Sequence, residues 1–146
     1  MDCAFCAIVA GRAESVVVWD DDRVVAFMDL NPVTDGHVLV VPKVHSVGLD
    51  DIDPTTASRM MWVAQRLSLA LKESSLRCDG VNLFFADGEA AFQEVFHSHL
   101  HVFPRFEGDG FTVGAHWNGR THRELAQAAE ALRSALSLDP PAVILG

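Results

Sequence analysis

The segment FHSHLHVFPRF, residues 96–106, sets His97, His99 and His101 at every second position between large apolar neighbours. A neutral imidazole nitrogen is a nucleophile and a metal ligand near pH 7, and the ring N–H is a hydrogen-bond donor, so three rings on one short segment offer several chemistries. The β-branched and aromatic neighbours, ending at Pro104, predict a strand. Alternate side chains of a strand share a face, which points the three histidines one way and Ser98, Leu100 and Val102 the other. One ion held by all three is at the limit of reach, because at ~3.3 Å per residue the outer Cα atoms lie about 13 Å apart, against Zn–N bonds of ~2.1 Å. The three rings are expected to divide their work.

Other residues with chemical potential are spread along the chain. Cys3-x-x-Cys6 has the spacing of a zinc half-site, with a pair of packed thiols as the alternative. His37 follows the Asp35-Gly36 turn at the entry to a strand, where taken alone it reads as a surface residue. Asp29 closes VVAFMD and can accept two O–H bonds, or simply end a strand. Gln93, in the loop before the histidines, has an amide that could donate to a ligand or stay in solvent. Cys78 has no partner at useful spacing and reads as a buried apolar thiol.

The elements that must position these groups are legible as patterns. SVVVWD (15–20) and RVVAFMD (23–29) flank Asp21 and Asp22 as a hairpin; LNPVTDG (30–36) is turn chemistry leading into the strand HVLVVPK (37–43). Asp53 as N-cap and Pro54 at the first helical position open an amphipathic helix running to about Glu73, with Met60, Val63, Leu67, Ala70 and Leu71 inward. VNLFFAD (81–87) is a further strand, GEAAFQEV (88–95) a loop, and 97–106 the histidine strand. Thr121 and Glu124 form a capping box for a last helix over 121–137, turning Leu125, Ala129, Leu132 and Leu136 inward. Hairpin-linked strands, interrupted by one helix and closed by another, predict an α+β fold with a mainly antiparallel sheet.

Composition bounds the function. A chain of 146 residues, 49% hydrophobic and 21% charged, suits one domain over residues 1–146. With 11 basic against 20 acidic residues the net charge is -9, which argues against binding nucleic-acid polymers or anionic membranes. Asp2 and the lack of a basic start make MDCAFCAIVA a poor signal peptide, and no apolar run reaches spanning length. Three cysteines do not form a secreted disulfide framework, so a reducing cytoplasm is expected.

Taken together, Cys3–Cys6, DGHVLVVPKVH and HSHLHVFPR resemble the histidine triad (HIT) family of nucleotide hydrolases and transferases, over residues 3–110. The resemblance implies a HIT-like fold and an enzyme attacking the α-phosphate of a purine nucleotide, either a phosphoramidate or a dinucleoside polyphosphate, through a nucleotidyl-histidine intermediate. It implies His99 as the nucleophile, His101 as a donor to phosphate or leaving group, His37 as their backing group, Asp29 on the ribose hydroxyls and Gln93 beside phosphate. It further implies a structural Zn²⁺ on Cys3, Cys6, His45 and His97, no organic cofactor, and a homodimer joined through the long helix and an edge strand. Phe5, Ile8 and Phe27 would line an adenine pocket. Two rivals stand beside this reading: a zinc-dependent hydrolase with its ion on the triad, and a nucleotide-binding regulatory module. The chain departs from the commonest family pattern where Ala86 and Phe92 replace an Asn and a Gly of the loop before the triad.

Overall fold

The structure, a computed structural model, describes residues 3–138. Those through Phe111 form one compact unit and those from Thr112 a second. In the first unit, strands β1 (Val17–Asp20), β2 (Val24–Met28), β3 (Val38–Pro42), β4 (Gly80–Phe85) and β5 (Leu100–Arg105) form one sheet in the order β1-β2-β3-β5-β4. Every neighbouring pair is antiparallel, giving the expected α+β architecture. Helices α1 (Ala4–Val9) and α2 (Pro54–Glu73) belong to this unit, and α3 (His122–Leu138) to the second.

Local chemistry explains the joints. Between β1 and β2, the Asp21 carboxylate accepts the backbone N–H groups of Arg23 and Val24 and the side-chain donors of Trp19 and Arg59, all at 2.8–2.9 Å. Burial works against its charge, but these donors hold the carboxyl below the usual range. At the start of α2 the Asp53 side chain accepts from Thr55 N at 3.0 Å and Thr56 N at 3.3 Å, with Pro54 supplying a helical φ. The helix ends at Glu73 as its pattern predicts, and Met60, Val63, Ala64 and Leu71 are buried with Leu67 partly so. Ala70 was expected inward but is exposed, because it falls at the edge of the stripe that Ala64 completes.

The sheet has two working faces. Even-numbered residues of β2, β3 and β5, namely Val24, Ala26, Val38, Val40, Leu100 and Val102, pack with α2 in the main core. The odd-numbered Val25, Phe27, Leu39 and Val41 instead meet Phe5 of α1 in a smaller cluster. Pleating alone makes this division, and it places one face against a helix and leaves the other for a site.

Two expectations are corrected. The histidine strand starts at Leu100, so His97 and His99 precede β5 and only His101 lies within it. Ser98 explains the break: its N–H donates to Ser46 O at 2.7 Å and its hydroxyl to Gly48 O at 2.9 Å, replacing strand pairing with a tie to the 46–48 loop. In α3 the Thr121–Glu124 capping box forms, with Thr121 N donating to Glu124 Oε2 at 2.7 Å. Its Leu125, Leu132 and Leu136 are not turned inward, however, but stand 56–66% exposed.

Candidate active site

The odd face of the sheet opens into a cleft of about 570 Å³. Its lining includes Phe5 and Ile8 of α1, Phe27 to Asn31 at the end of β2, His37, His99, His101 and Phe92. Of the expected site residues, Asp29, His37, His99 and His101 therefore meet at one cavity. His37 is delivered there by the turn before it. Gly36 has φ +101°, and a Cβ on it would come within 2.9 Å of Leu71 Cδ2, so this sharp approach to the core requires glycine.

The hydrogen-bond partners fix which ring nitrogens carry protons. His37 Nδ1 accepts from Val33 N–H at 3.0 Å, which leaves the proton on Nε2. That Nε2 lies 2.9 Å from His101 Nδ1, so it donates there and His101 carries its own proton on Nε2. His99 Nδ1 sits 2.7 Å from the His97 carbonyl oxygen, which can only accept. His99 Nδ1 is thus the protonated nitrogen and Nε2 presents a lone pair. Asp29 Oδ2 stands 3.5 Å from His37 Nε2 and 3.9 Å from His101 Nδ1, while its Oδ1 accepts from Asn31 N–H at 2.8 Å.

Electrostatics favours neutral rings. Burial lowers His37, with Asp29 opposing. Burial and the neighbouring His99 and His37 push His101 down to about 4, again against Asp29. The His101 ring centroid is 4.8 Å from that of His99, and Phe5 meets the His99 ring edge-on at 5.2 Å.

A second cluster lies behind His99. Ligand atoms of Cys3, Cys6, His45 and His97 all fall within 4.8 Å of one another. His97 Nδ1 is 3.3 Å from Cys3 Sγ, 3.5 Å from Cys6 Sγ and 3.2 Å from His45 Nδ1. Its Nε2 is spoken for by the Pro42 carbonyl at 2.8 Å, so the nitrogen aimed at the thiols is the one with a lone pair. Two sulfurs and two such nitrogens are a tetrahedral zinc donor set, and the residues fit that ion. Asp29, His37 and His101 also lie within 4.8 Å of one another. There the tautomer is wrong for a metal: Val33 N–H occupies His37 Nδ1, so the nitrogen facing the cluster bears a proton.

Gln93 has a different place from the one expected. It is buried, its Nε2 donates to Val47 O at 2.6 Å and Val95 O at 3.2 Å, and its Oε1 accepts from Gly88 N–H. Both amide protons thus serve protein carbonyls, and the side chain braces the 88–95 loop. Backbone groups that sequence reasoning missed are Val33 N–H and the carbonyls of His97 and Pro42. Amide and carbonyl groups occur at every residue, so no residue-type signal could have singled them out.

An antiparallel α+β sheet carrying a histidine-centred cleft and a thiol–imidazole cluster is one particular class of architecture. The HIT domain pattern matches residues 10–108, and the chain belongs to the HIT family, whose members generally act on nucleotide phosphates. A HIT-like protein of Borreliella burgdorferi is 47% identical over 111 residues, 75% of this chain and 80% of that one. A Zn-bound histidine triad family protein from Mycobacterium smegmatis is 42% identical in structural alignment, with TM-score 0.74, covering 92% of this chain and 98% of that one. A histidine triad nucleotide-binding protein from Candida albicans superposes with TM-score 0.84 at 28% identity, covering 93% and 98%. Among the described residues no helix is long and apolar enough to cross a membrane.

Proposed function

We propose that this protein is a nucleotide hydrolase or nucleotidyl transferase that breaks the bond between the α-phosphorus of a purine nucleotide and an amine or phosphate leaving group. The observation that carries the reading is the proton pattern: a lone pair on His99 Nε2 beside an N–H on His101 Nε2, both rings lining one cleft. The lone pair attacks phosphorus, a P–N bond forms, and the bond to the leaving atom breaks with its electron pair departing on that atom. His101 Nε2–H donates to the oxygen or nitrogen where negative charge develops. The His97 carbonyl, already bonded to Nδ1–H, offsets the positive charge of the phosphorylated ring. Water then attacks phosphorus, the P–N pair returns to Nε2, and the water proton passes to the departed group or to solvent.

Substrate contacts follow from the lining. Phe5, Ile8 and Phe27 form an apolar seat for the base, and Asp29 Oδ2 accepts from ribose hydroxyls. His37 is a positioning residue that fixes the tautomer of His101. Cys3, Cys6, His45 and His97 would hold a zinc ion with four protein ligands, and such an ion would brace the fold, tying α1 to the segment that bears His99. A reducing compartment such as the cytoplasm suits the two thiolates. The same reading implies a homodimer across α2 and β4, where Met61, Trp62, Leu69 and Leu83 are 41–54% exposed around one groove and β4 is an edge strand.

The test is His99→Ala with a nucleoside phosphoramidate and a dinucleoside triphosphate labelled at the α-phosphorus. Turnover is expected to vanish while nucleoside monophosphate affinity stays within about tenfold, because the lost group bonds only during reaction. Label should be trapped on His99 of the unsubstituted protein by rapid denaturation. Retained turnover in His99→Ala, with loss in His101→Ala, reassigns the nucleophile.

A further inference from the structure

The loop beside the triad holds a residue whose conformation the fold itself does not reward. Phe92 has φ 71° and ψ 27°, and among the described residues it is the one non-glycine with positive φ. A bulky side chain is rarely found in that region, which is strained for any residue with a Cβ. Its ring is 80% exposed, so it gains little from burial in return. The backbone around it is nonetheless held firmly. Phe92 N–H donates to Glu89 O at 2.9 Å, Gln93 N–H to Gly88 O at 3.1 Å, and the Gln93 side chain ties the loop to Val47 and Val95. The strain at Phe92 is therefore not offset by contacts of its own ring within the protein.

Its position ties this strain to the candidate site. Phe92 lines the same cleft as His99 and His101. One part of the lining, Phe5, Ile8 and Phe27 with Asp29, is committed to the nucleoside under the proposed function, on which this inference rests. Of the other phenylalanines in the lining, Phe103 is buried against His37, which leaves Phe84, Phe92 and Phe111 for the group beyond phosphorus. Phe84 is 42% exposed and lies 5.9 Å from the His101 ring, beside the donor that serves the leaving atom. We propose that Phe92 is a specificity-determining residue that stacks on a planar aromatic ring in the leaving group, so that the preferred substrates carry one there. An arylalkyl amine and a second nucleobase share that chemistry.

The experiment measures kcat/KM for two substrate pairs with the unsubstituted protein, Phe92→Gly and Phe92→Leu. The first pair is a nucleoside 5′-phosphoramidate of an arylethyl amine and one of an alkyl amine of equal basicity. The second is a dinucleoside triphosphate and a nucleoside triphosphate ending in a methyl group. In at least one pair the aromatic member should be preferred about tenfold, and both variants should bring that ratio within about twofold, as for loss of one stacked ring. The pair that shows the effect identifies the source of the ring. Phe92→Gly should melt no lower than the unsubstituted protein, since glycine takes this backbone without strain, which removes misfolding as an explanation. Turnover with no aromatic preference, a preference that survives Phe92→Gly, or an equal loss on both members of each pair overturns the inference while leaving the proposed reaction intact. Absence of all turnover and of label on His99 overturns both.

Discussion

At the scale of single residues, the site is a set of imidazoles whose proton positions are dictated by neighbours that cannot change theirs. A backbone N–H only donates and a carbonyl only accepts, so Val33 and the carbonyl of His97 set His37 and His99, and His37 in turn sets His101. Asp29 stands next to this chain with Oδ1 used by Asn31 N–H and Oδ2 turned toward the two histidines. Under the proposed function Oδ2 is the oxygen that accepts from ribose. Asp29→Ala is expected to raise KM for ribonucleotide substrates by more than it does for 2′-deoxy analogues, since a hydrogen bond to an ionised acceptor is worth about 1.5–3 kcal/mol. Steady-state kinetics on both sugars checks it, and equal effects would leave Asp29 with its histidine contacts alone.

At the scale of elements, the parts with strong local signals were legible before the structure. Asp53-Pro54 marked the start of α2, and its apolar stripe marked its length and face. Asp53→Ala, which strips Thr55 and Thr56 N–H of their acceptor, should lower the urea denaturation midpoint without changing its slope, as expected for loss of an N-cap. What stayed hidden had no local signal. Helix α1 spans six residues, too short for a period to show, and its Cys3 cap reads in the sequence as a metal ligand or a packed thiol, not as a helix start. The bend at His97–His99 depends on Ser98 meeting a loop some 50 positions away in the chain, which alternation cannot announce. The candidate site divided the same way. Asp29, His37, His99, His101 and the Cys3, Cys6, His45, His97 set stood out through the family resemblance and lie together in space, whereas the Gln93 side chain is taken up by the Val47 and Val95 carbonyls, backbone partners that no residue type signals.

At the scale of the whole molecule, the thiol–imidazole cluster joins the N-terminal segment, the loop after β3 and the segment before β5. Such a set converges only in the folded chain, so metal affinity adds to stability. Protein purified without added zinc and then supplied with it should hold about one ion per chain by elemental analysis. Cys3→Ser and Cys6→Ser should lose it and melt lower. No uptake after zinc addition would leave the cluster as packed thiols. For the α2–β4 face, sedimentation should give twice the chain mass, and Trp62→Glu should shift it toward monomer; a monomer at high concentration in the unsubstituted protein rejects that contact.

The division of the sheet by parity has a consequence for how this gene can vary. In β2, β3 and β5 the even positions turn to the main core, and the odd positions turn to the face shared by α1 and the cleft. Substitution can alter one face without disturbing the other, but loss of a single codon between His99 and Phe103 changes the phase of everything after it. Leu100 and Val102 would then trade places with His101 and Phe103, putting an imidazole against α2 and aliphatic groups in the cleft. Length changes in this stretch are therefore tolerable only in pairs of residues, while the loops on either side of the sheet can absorb single ones. The spacing of the histidine segment is thus set by strand geometry before chemistry has any say.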